Sequence, residues 1–189
     1  MTNLLFDQFS GRSRPAEQGI DIPLIVAIHG GTYSSAYFDV PGYSLLDSAA
    51  AAGLPVIALD RPGYGNTPIL APVEMTIKGQ ANYLTQALKS AWRAYGAGRP
   101  GIVIIGHSIG AAISAVIASA PDGLPLLGLA VSGVGMRTPS DHRPMWEALP
   151  DIPLVELPND LKDGVMFGPE GSFAADMPAA SHIANTTAP

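Results

Sequence analysis

The residues best placed to do chemistry are Gly106-His107-Ser108-Ile109-Gly110. An apolar run, Ile102 to Ile105, enters this pentapeptide, and a small-residue stretch, Ile109 to Ala120, leaves it. A serine on a tight turn between a strand and a helix is a candidate nucleophile. The turn lifts its hydroxyl clear of the backbone, and flanking glycines remove side chains that would block the turn. The helix start behind Ser108 points unpaired N–H groups and a partial positive charge at any developing anion, so the Ile109 backbone N–H is a candidate oxyanion donor. The corresponding chemistry is attack of an activated hydroxyl on a carbonyl through a tetrahedral intermediate.

Positioning such a serine requires a sheet with the site at its strand ends. Four short runs are apolar throughout: Leu24 to Ile28, Val56 to Leu59, Ile102 to Ile105 and Leu126 to Val131. Continuous rather than alternating apolarity predicts strands buried on both faces of a parallel sheet. Each run stops at a glycine-containing turn: His29-Gly30-Gly31, Asp60-Arg61-Pro62-Gly63-Tyr64-Gly65, the serine pentapeptide, and Ser132-Gly133. Between them, Ile77, Ala81, Leu84, Leu88, Ala91, Trp92 and Tyr95 recur at helical spacing, Tyr43 to Ala52 is rich in Ala and Leu, and Ile109 to Ala120 predicts a buried helix. Alternation of strand and helix predicts an α/β fold, an open and mostly parallel sheet with helices on both faces and ligands at the carboxyl ends of the strands. One or two further short strands are expected before residue 24. Residues 1–135 are thus expected to form the core, and 136–189, rich in proline and without a comparable strand, a cap over the strand ends. The cap aromatics Trp146, Phe167 and Phe173, with Met145 and Met166, are expected to form its own small core in preference to an acyl pocket.

His29-Gly30-Gly31-Thr32, Asp60-Arg61-Pro62-Gly63-Tyr64-Gly65 and Gly106-His107-Ser108-Ile109-Gly110, in this order and spacing, resemble the α/β-hydrolase fold superfamily over roughly residues 20 to 135. The resemblance implies an N-terminal portion of that fold, with Ser108 as nucleophile. It places the second oxyanion N–H at Gly31, or at Thr32 if the turn is shifted by one. It also implies that His29 is not the base, since it precedes the nucleophile. His29 and His107 are expected to be structural, and Asp60 to shape its turn. Serine in place of aspartate at 108 points away from the haloalkane dehalogenase and epoxide hydrolase branches.

In this fold the acid and then the histidine follow the serine. Only His142 and His182 do so here, with Asp122, Asp141, Glu147, Asp151, Glu156, Asp160, Asp163, Glu170 and Asp176 as candidate acids. Chain order permits Asp160 with His182, but nothing strand-like precedes His182, and Leu154 to Leu157 is a short run between prolines. The expectation is a sheet lacking its last strands. A C-terminal companion polypeptide or further segment would carry the triad acid and histidine. The expected activity is cleavage of a carboxylic ester or thioester, a small acyl substrate, through a Ser108 acyl-enzyme. The alternatives are an acyltransferase or perhydrolase on the same site, or a non-catalytic binding protein on this fold.

Composition narrows the rest. The 189 residues carry a formal net charge of −6 and no concentrated basic patch, which argues against a nucleic-acid partner. With no cysteine, thiolate metal sites, disulfides and cysteine nucleophiles are excluded. No His/Asp cluster has metal-ligand spacing and no G-x-G-x-x-G follows a strand, so neither a metal nor an organic cofactor is expected. The start, Met1-Thr-Asn-Leu-Leu-Phe-Asp7, lacks a basic n-region, and no apolar run approaches a membrane span, so a cytoplasmic protein is expected.

Overall fold

The computed structural model describes residues 2–14, 21–135, 137, 140, 143–148, 150 and 158–185. By contact these fall into two units: one runs through Val134 and takes in Ala184 and Asn185, and the other is Gly135–Ile183. The first unit contains β1 (Thr2–Phe6), β2 (Phe9–Arg14), β3 (Leu24–Ile28), α1 (Leu45–Ala51), β4 (Val56–Leu59), α2 (Ile77–Tyr95), β5 (Ile102–His107), α3 (Ile109–Ser119) and β6 (Leu126–Ser132). The sheet order is β1-β2-β4-β3-β5-β6. The β3–β4, β3–β5 and β5–β6 pairs are parallel, and the β1–β2 hairpin joins antiparallel at β4. This is the expected α/β fold, with both short early strands present.

The central strands bury both faces, which is why their sequences do not alternate. Leu24, Val26 and Ile28 pack with Leu84, Leu88 and Ala91 of α2 and with Ile113 and Ile117 of α3. Ala27 faces the other way, with Phe38, Leu46 and Ala49. Helix α2 follows its predicted stripe. Its N-cap Thr76 accepts the Gly79 N–H at 3.0 Å, and Gly96 ends it. Two salt-linked arginines fasten β2 to the next layer: Arg14 Nη2 lies 2.7 Å and Arg12 Nη1 3.4 Å from the buried carboxylate of Asp39. Asp39 ends a 3-10 turn, Ser35–Asp39, directly after the Gly30–Thr32 loop.

Two elements differ from expectation. β6 reads as a doubly buried strand, yet Leu127 is 56% and Val131 52% exposed. Its inner edge is paired to β5, and no strand among the described residues pairs with its outer edge. Helix α3, expected as a helix buried against the sheet, buries Ala111, Ile113 and Ile117 but leaves Ile109 and Val116 exposed. Apolar sequence thus met covering layers at the centre of the sheet and not at this edge.

The second unit carries three short helices, α4 (Arg143–Glu147), α5 (Asn159–Met166) and α6 (Met177–Ser181), with a 3-10 turn at His182–Ala184. Phe167 and Phe173 lie 5.1 Å apart, ring to ring, so within their own unit they pack on each other. Leu154–Leu157, His142 and the side chains of Met145 and Trp146 lie outside the described residues.

Leu88 is fully buried between α2 and the sheet, whereas Val73 is 85% exposed. Leu88→Ala is expected to lower the unfolding free energy by about 2–5 kcal/mol, and Val73→Ala by less than about 0.5 kcal/mol. Urea titration of the two variants checks the assignment; equal losses would contradict it.

Candidate active site

Ser108 sits between β5 and α3 with φ 52° and ψ −121°, a left-handed backbone that a non-glycine residue adopts only when its surroundings hold it there. The surroundings are specific. The Ser108 N–H donates to the Ser132 carbonyl of β6 at 2.9 Å, and the Ser108 carbonyl accepts from Ala111 N–H at 2.9 Å to start the helix. A Cβ on Gly106 would lie 2.6 Å from Ala111 Cα, and one on Gly110 would run into the Ile28 and His29 carbonyls. Both glycines are therefore sterically required: they bring the first turn of α3 against the ends of β5 and β3. The side chain of Ser108 is half-buried and makes no cap hydrogen bond, so its hydroxyl is not committed to the fold.

Gly30 and Gly31 lie against this turn. A Cβ on Gly30 would be 2.9 Å from Ser108 Cβ, and one on Gly31 would be 3.2 Å from Ile109 Cδ1. Thr32, next along, has φ 61°, and its Oγ1 is buried with no hydrogen-bond partner among the described residues. Among the described residues, neither the Gly31 nor the Ile109 N–H donates to a backbone carbonyl.

A buried polar layer holds this loop. Asp60 accepts the Ser35 N–H through Oδ1 and the Ser10 hydroxyl through Oδ2, both at 2.7 Å. It shapes and ties its turn, as the sequence predicts. His29 is wholly buried; its Nε2 accepts the Arg61 backbone N–H at 3.1 Å and its Nδ1 lies 2.8 Å from the Gly30 carbonyl. Burial, then the charge of Arg61, push its pKa down to about 3, against the opposing pull of the Gly30 carbonyl. His29 is therefore a neutral structural residue. His107 lies flat on Tyr37, ring centroids 4.7 Å apart, with Nδ1 3.1 Å from Ser132 Oγ. Burial lowers its pKa and raises that of Tyr37. Tyr33 packs on Tyr37 at 5.0 Å, so both tyrosines flank the loop as an aromatic cluster.

His182 lies in the second unit and takes Asp163 as its partner, with Nε2 to Oδ2 at 2.9 Å and to Oδ1 at 3.2 Å. The Asp160 pairing that chain order permits, and that the sequence context argues against, is not formed: Asp160 lies in the first turn of α5 and is exposed. Among the described residues, no group of three His, Asp or Glu side chains could hold a metal ion, and no helix is long and apolar enough to cross a membrane. Arg61, almost fully buried at 3% exposure, escaped the sequence reading. The available signal was a cation inside a glycine-rich turn, where solvent exposure was the easier assumption.

The buried neutral His29 makes stability depend on pH. The unfolded ring titrates near 6.5, so below that value the unfolded chain binds a proton that the folded one refuses. The stabilisation is complete above about pH 6.5 and is lost as pH falls toward about 3, at up to about 1.4 kcal/mol per pH unit. Between pH 7 and pH 5, wild-type protein is expected to lose about 2 kcal/mol more than His29→Asn. Urea midpoints at the two pH values give the comparison, and equal losses would refute it.

The Alpha/beta hydrolase family model matches residues 25–188. Protein phosphatase methylesterase 1 of Pongo abelii is 28% identical over 128 residues, which is 68% of this chain and 32% of that protein. The chain thus spans about a third of the length of the curated relatives it matches. Among solved structures, the N-acyl homoserine lactonase AidH complexed with N-butanoyl homoserine superposes with TM-score 0.53 at 24% identity, over 70% of this chain and 45% of that one. A predicted CIB-like hydrolase from Thermoplasma acidophilum gives 0.51 at 20% identity, over 68% and 63%. These two likenesses concern the fold. With the family model covering nearly all of the chain from β3 onward, the protein belongs to the α/β-hydrolase family.

Proposed function

We propose that the protein is a serine hydrolase that cleaves a carboxylic ester or thioester through an acyl-enzyme on Ser108. The observation that carries this reading is the left-handed backbone of Ser108 on a turn against which Gly30 and Gly31 are packed. In the proposed reaction the Ser108 oxygen attacks the substrate carbonyl carbon as a base removes the hydroxyl proton. The oxygen of the tetrahedral intermediate accepts from the Gly31 and Ile109 N–H groups, with Thr32 beside them. The alkoxide or thiolate leaves with that proton, and water then hydrolyses the acyl-serine by the same route in reverse. The likeness to a methylesterase supports an ester among the carbonyl substrates open to such a serine.

The acid and base are proposed to come from a polypeptide segment outside these 189 residues, a C-terminal companion that pairs with β6. Two observations support this. Asp163 occupies Nε2 of His182, the nitrogen that faces the serine in the familiar triad. The edge strand β6 also exposes Leu127, Leu129 and Val131, a surface that invites another strand. Residues of the second unit are proposed to form part of a cap in the complete enzyme.

A fluorophosphonate probe applied to the protein in its native assembly is expected to label Ser108. Ser108→Ala should abolish labelling and lower ester turnover by at least about a thousandfold without unfolding the protein. Intact mass of the labelled assembly should exceed that of the 19.5 kDa chain. An active 19.5 kDa monomer would sink the companion, retained turnover in Ser108→Ala would sink the nucleophile, and silence of the probe in the full assembly would favour a binding protein on this fold.

A further inference from the structure

Arg61 is a buried cation whose side-chain acceptors are all neutral. Nη1 donates to Gln80 Oε1 at 2.7 Å, and Nη2 donates to the Gly30 carbonyl at 3.0 Å and to the Tyr64 hydroxyl at 3.2 Å. The guanidinium carbon lies 4.8 Å over the Tyr64 ring, and Nε is buried without a partner among the described residues. The neighbouring carboxylate, Asp60, is engaged by Ser10 and Ser35. Burying a guanidinium among dipoles alone is costly. The arrangement therefore has a structural cost that a neutral side chain of similar size would avoid.

The Gly30 carbonyl receives a second donor. Because His29 Nε2 accepts from the Arg61 backbone N–H, the single proton of the neutral ring is on Nδ1, which donates to Gly30 at 2.8 Å. One carbonyl oxygen thus accepts both a neutral and a charged N–H. That oxygen belongs to the same planar, trans peptide unit as the Gly31 N–H. Electron density drawn onto the oxygen leaves the N–H more positive, and hydrogen bonds linked through a peptide strengthen one another. The trans geometry also turns this N–H away from the carbonyl and its donors, while the Gly30–Gly31 pair is pressed against Ser108 and Ile109.

We propose that Arg61 is a positioning residue for oxyanion stabilisation: with His29 it fixes and polarises the Gly30–Gly31 peptide, so that the Gly31 N–H is a pre-aimed, strengthened donor. The proposal rests on the assignment of Gly31 as an oxyanion donor. It explains why a cation is buried where, among the described residues, no carboxylate pairs with it: its field is applied across one peptide to the place where negative charge develops.

The test compares wild type, Arg61→Met and Arg61→Lys in the native assembly, with two readouts. The first is the amide proton shift of Gly31 by NMR, which needs no turnover. The second is ester hydrolysis resolved into kcat and KM. Arg61→Met is expected to move the Gly31 amide upfield and to lower kcat about tenfold, less than the loss from deleting a donor outright, with KM within about twofold. Arg61→Lys should restore most of both. A folded Arg61→Met with the Gly31 amide unmoved, or with kcat within about twofold of wild type, would overturn the proposal. If Arg61→Met does not fold, Gln80→Met, which removes the Nη1 anchor, is expected to shift the same amide in the same direction, and an unmoved resonance there overturns it equally. An amide that shifts in an assembly whose Ser108→Ala variant still turns over would instead mean that the peptide is polarised as proposed and the serine-hydrolase assignment is what has failed.

Discussion

The contact on which the site depends is the one between the first turn of α3 and the end of β3, where Gly110 leaves no room for a side chain against the Ile28 and His29 carbonyls. Helix and strand could not otherwise lie this close. Their closeness sets Ser108 beside Gly30 and forces the left-handed backbone that projects the serine. It also brings the end of β3 beneath Ser108, so whatever holds the His29–Thr32 loop holds the neighbour of that turn. A larger residue at 110 would separate the two walls of the site before it disturbed the sheet core.

The polar groups inside the molecule are concentrated around that loop. Asp60, Asp39, Arg61 and His29 are all buried; Asp60, Arg61 and His29 bond to the loop or to the 3-10 turn that follows it, and Asp39, the last residue of that turn, ties it to Ser44 and to Arg14 of β2. A low-dielectric setting makes such bonds strong and makes any unmade one expensive. The loop is therefore held by directional contacts, whereas the sheet behind it is held by non-directional burial of Leu, Ile and Val. Directional contacts fix a backbone to within tenths of an ångström, which core packing alone does not do.

Much of this was legible in the sequence. Continuous apolar runs ending in glycine turns specify a parallel sheet with its site at the strand ends, and Gly106 and Gly110 read correctly because a steric demand at a turn is local. Asp60 does lie against Gly65 of its own turn, but its hydrogen bonds run to Ser10 and Ser35, which are distant in sequence. The misreadings concern long-range relations. The apolarity of Leu126–Val131 reports what a strand could bury, not whether a layer is present to bury it. Arg61 drew no reading from the sequence, because its acceptors Gly30 and Gln80 are distant along the chain. That His182 takes Asp163 is likewise a tertiary contact, between residues 19 apart, which chain order does not specify.

The backbone N–H of Ser108 is bonded to Ser132, a residue of the sheet's edge strand. The left-handed turn at Ser108 therefore persists only as long as β5 and β6 stay zipped. Edge strands open more readily than central ones. The lifetime of this turn is thus set at the rim of the sheet and not at its core, and any element that stiffens β6 from outside lengthens it.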